Sequence, residues 1–304
     1  MKLIQLRYAK VVADSGSFSA AARHCGVSQP TISNAVSDLE AELGAKLFKR
    51  TTRRVELTAF GRDIIRHVEG VLNCAGDLEQ QARALLNPKQ KLLRIAFSPI
   101  IDSRRLMMLF EPFKQDRPNL EIIYKECGVG DLDARLDDEH IDVACGIRAR
   151  DAPNRGACAL YTDPLRYLPR GGPDKHGGPR SIALGDIARE VLILTAGDCG
   201  LAPATREFFR RNKSTLREYP GQAISYQVLQ EWSQLGIGAA LLPESRIAGE
   251  AAGYPLVVAD RTQAAITYEA TWNKNASAPP HVKEFRTYLK TAVAALTRGG
   301  RWVN

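Results

Sequence analysis

Gln29, Thr31, Ser33 and Asn34, flanked by Ser28, Pro30 and Ser37, crowd amides and hydroxyls into one short polar stretch. Amide side chains can pair with two positions on an adenine edge and hydroxyls with several bases, so this set suits the floor of a DNA major groove. A little further on, Lys49, Arg50, Arg53 and Arg54 concentrate positive charge. Such a patch meets phosphates, which supply affinity while base contacts supply choice. The polar stretch alone would pass for the solvated face of an ordinary helix. The basic cluster beside it favours nucleic-acid readout.

Two short helices hinged at Gly26 must carry these groups. Ser17 is a fitting N-cap ahead of Phe18, and Ala20, Ala21 and Ala22 are small, strongly helical residues where a second helix has to approach closely. Gly26 permits a left-handed turn. Ser28 then caps the second helix, Pro30 falls in its first turn where a missing N–H does no harm, and Ile32, Val36 and Leu39 form its buried stripe. Leu43-Gly44 closes that helix, and Thr51 to Thr58 reads as a short two-stranded wing.

These residues strongly resemble the LysR-type transcriptional regulators. The matches are Gly16-Ser17-Phe18, Ala20-Ala21, Val27-Ser28-Gln29-Pro30, Ser33, Leu39-Glu40, Leu43-Gly44, Leu47-Phe48, Arg50 and Leu57-Thr58. The resemblance implies an α/β chain with an N-terminal winged helix-turn-helix plus linker helix, then a two-lobed effector domain like a periplasmic binding protein. Together, the polar face and the basic patch assign DNA binding to Ser28, Gln29, Pro30, Thr31, Ser33, Asn34, Arg50, Arg53 and Arg54. One departure is that the reading helix is lean in cations and carries Asp38.

The 304 residues allow roughly two domains at about 150 residues each, and 44% hydrophobic composition is ample for a core. The net charge of +8 points toward polyanions, although it is spread over both halves. Met1 to Val12 lacks the unbroken apolar core of a secretory signal and no apolar run is long enough for a bilayer, so a cytoplasmic chain without membrane contact is expected. Cys25, Cys74, Cys127, Cys145, Cys158 and Cys199 show no Cys-x-x-Cys and no His at ligand spacing. No metal and no other cofactor is expected, and most of these are free thiols in a reducing compartment.

From Thr58 to Leu86, Ile64, Val68, Val71, Ala75, Leu78, Ala82 and Leu85 recur at alternating spacings of four and three. Such a seam wants a partner helix, and a DNA reader needs a second copy to reach two half-sites. Residues 59–87 are therefore read as a linker helix for dimerisation, between a DNA-binding domain at 1–58 and a regulatory domain at 88–304. The expected partners are double-stranded promoter DNA, a small-molecule effector and further copies in a homodimer or homotetramer, with RNA polymerase compatible with the class.

Beyond Asn87-Pro88 the pattern alternates strand and helix. Strands are expected at Leu92–Phe97, Leu120–Glu126 and Ile141–Cys145, then Val191–Leu194, Gly238–Leu242 and Ala265–Tyr268. Apolar strands separated by helices argue for a parallel sheet with covered faces. Connections near Tyr161–Leu168 and Tyr254–Val258 would pass between two lobes. Ligands of open α/β sheets sit beyond the carboxyl ends of strands, here at Ser98-Pro99-Ile100, Gly128-Val129-Gly130 and Thr195 to Leu201. Three helix N-termini there would favour a small anion, with Ser98, Pro99, Ile100, Gly128, Val129, Thr195, Cys199 and Gly200 as contacts and Ser98 as N-cap.

No constellation for catalysis is present. There is no Gly-x-Ser-x-Gly and no His-Glu-x-x-His, and Gly172 to Gly178 lacks the Lys-Ser/Thr of a phosphate loop. The sequence thus describes a regulator rather than an enzyme, with an enzyme carrying a DNA-binding module as the rival class. Cys199 precedes a helix, where a thiol gains reactivity, and one branch of the resembled family senses peroxide through a cysteine in a comparable stretch. Thiol redox sensing is the alternative to a small anionic effector. Against it stand Asp198 and Phe208, the latter where a resolving cysteine would be expected by resemblance.

Overall fold

The computed structural model describes residues 1–50, 55–86, 91–147, 154–173, 180–197, 199–249, 253–274 and 278–298, with the side chains of 50, 77, 80, 81, 83–85 and 295–298 outside the description. Contacts divide the chain into two compact units, Met1–Pro88 and Lys89–Asn304.

In the first unit, α1 (Leu3–Ser15), α2 (Phe18–Cys25) and α3 (Gln29–Leu43) are followed by β1 (Phe48–Arg50), β2 (Val55–Leu57) and the long α4 (Ala59–Leu86). Ser17 caps α2 by accepting from the Ala20 amide, and Ser28 caps α3 by accepting from the Thr31 amide. Between them Gly26 takes φ 66°, a left-handed conformation that costs a side-chain-bearing residue. Ile32, Val36 and Leu39 are fully buried against Leu6, Ala9, Val12 and Ala21. The wing begins earlier than expected. Its first strand is Phe48–Arg50, paired Phe48↔Leu57, because Phe48 is drawn into the core against Phe18, ring centroids 5.9 Å apart.

The second unit builds its first lobe on β3 (Lys91–Phe97), α5 (Ser103–Gln115), β4 (Leu120–Glu126), α6 (Val129–Asp137), β5 (Val143–Ile147) and the fourteen-residue β6 (Arg155–Leu168). The second lobe carries β7 (Ile182–Ala183), β8 (Val191–Thr195), α7 (Leu201–Arg211), β9 (Arg217–Ala223), α8 (Tyr226–Gln234), β10 (Ala240–Pro243), a 3-10 turn at Glu244–Arg246 and β11 (Tyr254–Val257). The chain returns through β12 (Ala265–Asn273) and ends in α9 (Pro280–Arg298).

The sheet is mixed rather than parallel. β3 pairs in parallel with β4 and β5, but β12 lies antiparallel between β5 and β6. The upper half of β6 continues into the second lobe, where Leu165–Leu168 pairs with β10 and Arg166 and Tyr167 pair with β11. Tyr161–Leu168 is therefore a crossing made by a continuous strand. The return crossing falls at Ala264–Ala265, after Tyr254–Val257 has served as a second-lobe strand. β9 was unmarked by hydropathy because Arg-Glu-Tyr-Pro-Gly-Gln-Ala is polar and broken, which an edge position beside β8 tolerates.

Candidate functional site

Two candidate sites lie on separate units. On the first, Ser28, Gln29, Pro30, Thr31 and Asn34 are exposed and Ser33 is half-exposed along the first turns of α3. Ser28 and Thr31 share a 2.7 Å hydroxyl hydrogen bond, so both hydroxyls are fixed by the cap. Gln29 and Asn34 hold the exposed amides. Lys49 is exposed on β1. The side chain of Arg50, and Arg53 and Arg54 entirely, lie outside the described residues.

Glu40 fixes the wing to the reading helix. Its carboxylate is 5% exposed, accepts from the Leu47 amide at 2.8 Å and the Phe48 amide at 3.2 Å, and pairs with Lys46 at 2.8 Å. One buried acid thus sets where β1 leaves the end of α3. Sequence matching marked Glu40, but its task depends on amides that only the fold brings to it.

The seam of α4 divides along its length. Val68 is 3% exposed and Ile64 packs beside it, both in the core formed with α1 and the wing. Those positions serve the unit's own interior. Val71 and Leu78 stay 45% and 72% exposed, Ala75 is half-exposed and Ala82 exposed, while the Leu85 side chain lies outside the description.

On the second unit, the segments at Ser98–Ile101, Gly128–Val129, 195–197 and Cys199–Gly200 meet between the lobes, with Asp198 outside the described residues. The Ser98 hydroxyl is buried and donates to the Cys199 carbonyl at 2.7 Å. Ser98 is not a helix cap. The cap of α5 is Asp102, which accepts from the Arg104 amide and places a carboxylate at that helix end, removing it as a seat for an anion. Gly128 and Gly200 precede α6 and α7 without side-chain caps. Gly200 has φ 85°, and a Cβ there would meet the Val129 Cγ2 at 2.8 Å, so the two lobes touch closely at this point. Thr195 is buried, with its hydroxyl 3.4 Å from the Cys199 thiol.

Four further residues complete the interlobe site, and sequence reasoning missed them. Arg246 donates from Nε to the Ile100 carbonyl and from Nη2 to the Pro99 carbonyl, each at 2.9 Å, and also to Ile101. Its guanidinium faces the Tyr226 ring at 5.7 Å. The Tyr268 hydroxyl is buried without a hydrogen-bond partner, and the buried Tyr226 hydroxyl meets the Cys199 thiol. Burial pushes both phenols upward, reinforced for Tyr226 by the neighbouring Cys199 thiol and for Tyr268 by Asp163. Asp163, at the crossing of β6, is itself held above the usual carboxylate range by burial, against hydrogen bonds from the Ser245 hydroxyl and amide. No local pattern announces these residues, because each gains its role from a partner in another element.

Burial also raises the Cys127 and Cys145 thiols. Cys199 is half-buried, and so is Phe208. Among the described residues no group of His, Cys, Asp and Glu is placed to hold a metal ion, and no helix is long and apolar enough to cross a membrane.

Comparison with known proteins agrees with this division. Residues 3–62 match the model described as "Bacterial regulatory helix-turn-helix protein, lysR family", and residues 87–294 match the "LysR substrate binding domain". The HTH-type transcriptional regulator IlvR of Caulobacter vibrioides is 36% identical over 253 residues, covering 81% of this chain and 83% of that one. A hydrogen peroxide-inducible genes activator of Pectobacterium carotovorum subsp. carotovorum is 27% identical over 244 residues, 80% of each chain. Among solved structures, CbnR, a LysR family transcriptional regulator, is similar in fold at TM-score 0.60 and 21% identity, covering 96% of this chain and 99% of that one. With a family model matched across each unit, the chain belongs to the LysR family of DNA-binding transcriptional regulators.

Proposed function

We propose that this regulator binds promoter DNA as a dimer or tetramer in the cytoplasm and is controlled by a small anionic effector between the lobes of residues 88–304. The observation that carries the effector reading is the buried Tyr268 hydroxyl, left without a hydrogen-bond partner in the field of Arg246. A buried donor without an acceptor costs about 1–3 kcal/mol, and an effector oxygen would recover that energy. Arg246 supports the same reading. It spends its charge on the carbonyls of Pro99, Ile100 and Ile101, a set that a carboxylate could replace when the lobes part. Movement of one lobe against the other then shifts the equilibrium between two arrangements of the paired effector domains and the DNA bend they impose.

The test is a thermal-shift screen of small organic acids against the full chain. A stabilising acid should lose its effect in Tyr268→Phe, by mass action on the folded state. Turnover of that acid would instead favour an enzyme with a DNA-binding module.

Cys199 supports a second reading, redox control. Its thiol lies within reach of Thr195 and beside Tyr226. A Cys199 thiolate would attack one peroxide oxygen, break the O–O bond and leave a sulfenic acid and hydroxide. Peroxide titration with thiol-resolved mass spectrometry tests it. A Cys199 no more reactive than Cys25 or Cys74, with unchanged DNA binding, ends that reading.

A further inference from the structure

At the lower end of the first lobe, away from the interlobe loops, a half-open cavity of about 80 Å³ is lined by Arg94, Glu139, Asp142, Asn273 and Arg286. That is several times the roughly 10–15 Å³ a single water requires. The strand ends that meet between the lobes are the carboxyl ends of β3 and β5. Asp142 stands just ahead of β5 and Asn273 ends the antiparallel β12, so this cavity opens at the opposite edge of the sheet.

The two arginines are in different states. Arg94 is satisfied, holding Asp142 through Nε at 3.2 Å and Nη2 at 2.9 Å while its own amide donates to the same carboxylate at 2.8 Å. Arg286 makes no such direct contact with a carboxylate among the described residues. Its Nη1 reaches the Asn273 carbonyl at 3.2 Å and its Nη2 the Asp142 carbonyl at 3.5 Å, both neutral acceptors, and its Nε is buried without a partner. Its guanidinium and the Lys290 ammonium each stand 5.9 Å from the Trp272 ring, so a second cation adds to the local positive field. Burial holds the Arg286 guanidinium below its ordinary pKa, only partly opposed by the charge of Asp142.

We propose that this cavity is a second ligand site, distinct from the interlobe site, that takes a small monocarboxylate with its oxygens on Arg286. The lining charges select the class. Arg94 is already balanced by Asp142, so Arg286 with the nearby Lys290 supplies the attraction for one negative charge, while a dianion such as phosphate also meets the Asp142 and Glu139 carboxylates of the lining. The size allows an acetate-like molecule.

Acetate titrated into the full chain at constant ionic strength, read by thermal shift and calorimetry, tests the proposal. The expected result is saturable stabilisation by acetate and at least tenfold weaker binding of phosphate. Arg286→Gln should weaken acetate at least tenfold. Glu139→Gln, an exposed change that removes the opposing charge, should tighten it several-fold and decides the matter if Arg286→Gln fails to fold. Tyr268→Phe, which alters only the interlobe site, should leave acetate binding unchanged. No saturable effect, or one indifferent to both Arg286→Gln and Glu139→Gln, overturns the proposal. An effect abolished by Tyr268→Phe places acetate between the lobes and overturns it equally, while supporting the effector reading.

Discussion

Ser98 and Cys199 lie 101 residues apart in the chain, yet the Ser98 hydroxyl donates to the Cys199 carbonyl at 2.7 Å and so ties the loop after β3 to the loop before α7. Ser98→Ala leaves that half-buried carbonyl without its donor. The second unit should lose about 1–3 kcal/mol of stability, seen as an earlier urea midpoint for its transition. An unchanged midpoint would mean that the lobes part readily without this bond.

On the DNA-reading unit, two exposed residues should fail in different ways. Gln29→Ala removes an exposed amide at the start of α3 and should reduce discrimination at particular base pairs by about 1–3 kcal/mol. Lys49→Ala on the wing strand should weaken binding to every sequence and flatten its salt dependence by about one ion. Binding assays on matched and mismatched operators across a salt series separate the two. Unchanged ratios for Gln29→Ala would remove it from the reading face.

Glu40 offers a test of how the wing is placed. Glu40→Ala strands the buried amides of Leu47 and Phe48 and should cost roughly 2–4 kcal/mol, whereas Glu40→Gln keeps one acceptor and should cost less. Thermal unfolding of the first unit reads both. Equal losses would show that charge pairing with Lys46, not amide capping, is the larger contribution.

The helix-turn-helix was legible because its cause is local. Ser17, Gly26 and Ser28 act on residues within a turn of themselves, so their types suffice to place α2 and α3. The strand β6 was legible only as a link. Pro164 interrupts its alternation, and a strand shared by two lobes takes its pairing from β12 below and β10 above. Arg246 and Tyr268 were silent for the same reason. Their meaning comes from carbonyls and burial contributed by distant segments, which no spacing encodes.

Asp163 should make the second unit's stability depend on pH in an unusual direction. Its folded pKa lies above the unfolded value of about 3.9, so between the two values the folded state binds more protons. Its contribution is then fully present below the unfolded pKa and falls as pH rises through the folded one. Asp163→Asn should remove that loss while keeping an acceptor for the Ser245 hydroxyl. Urea midpoints from pH 4 to pH 7 compare the two proteins. Parallel curves would mean that the hydrogen bonds from Ser245 fully offset burial.

Assembly can be tested without disturbing the fold, because the seam of α4 is only partly consumed. Val68 is the wrong residue to change, since it lies in the core of its own unit and a charge there would unfold it. Val71 and Leu78 are 45% and 72% exposed, so a charge at either costs the isolated unit little. Val71→Asp with Leu78→Asp should therefore leave thermal unfolding of the helix-turn-helix nearly unchanged while burying uncompensated charges in any helix pair formed along this face. Sedimentation should show the double variant as a smaller species, and affinity for a two-half-site operator should fall far more than affinity for one half-site. An assembly of unchanged size would place the contact between copies on another surface and leave Val71 and Leu78 as solvent-facing residues of the helix.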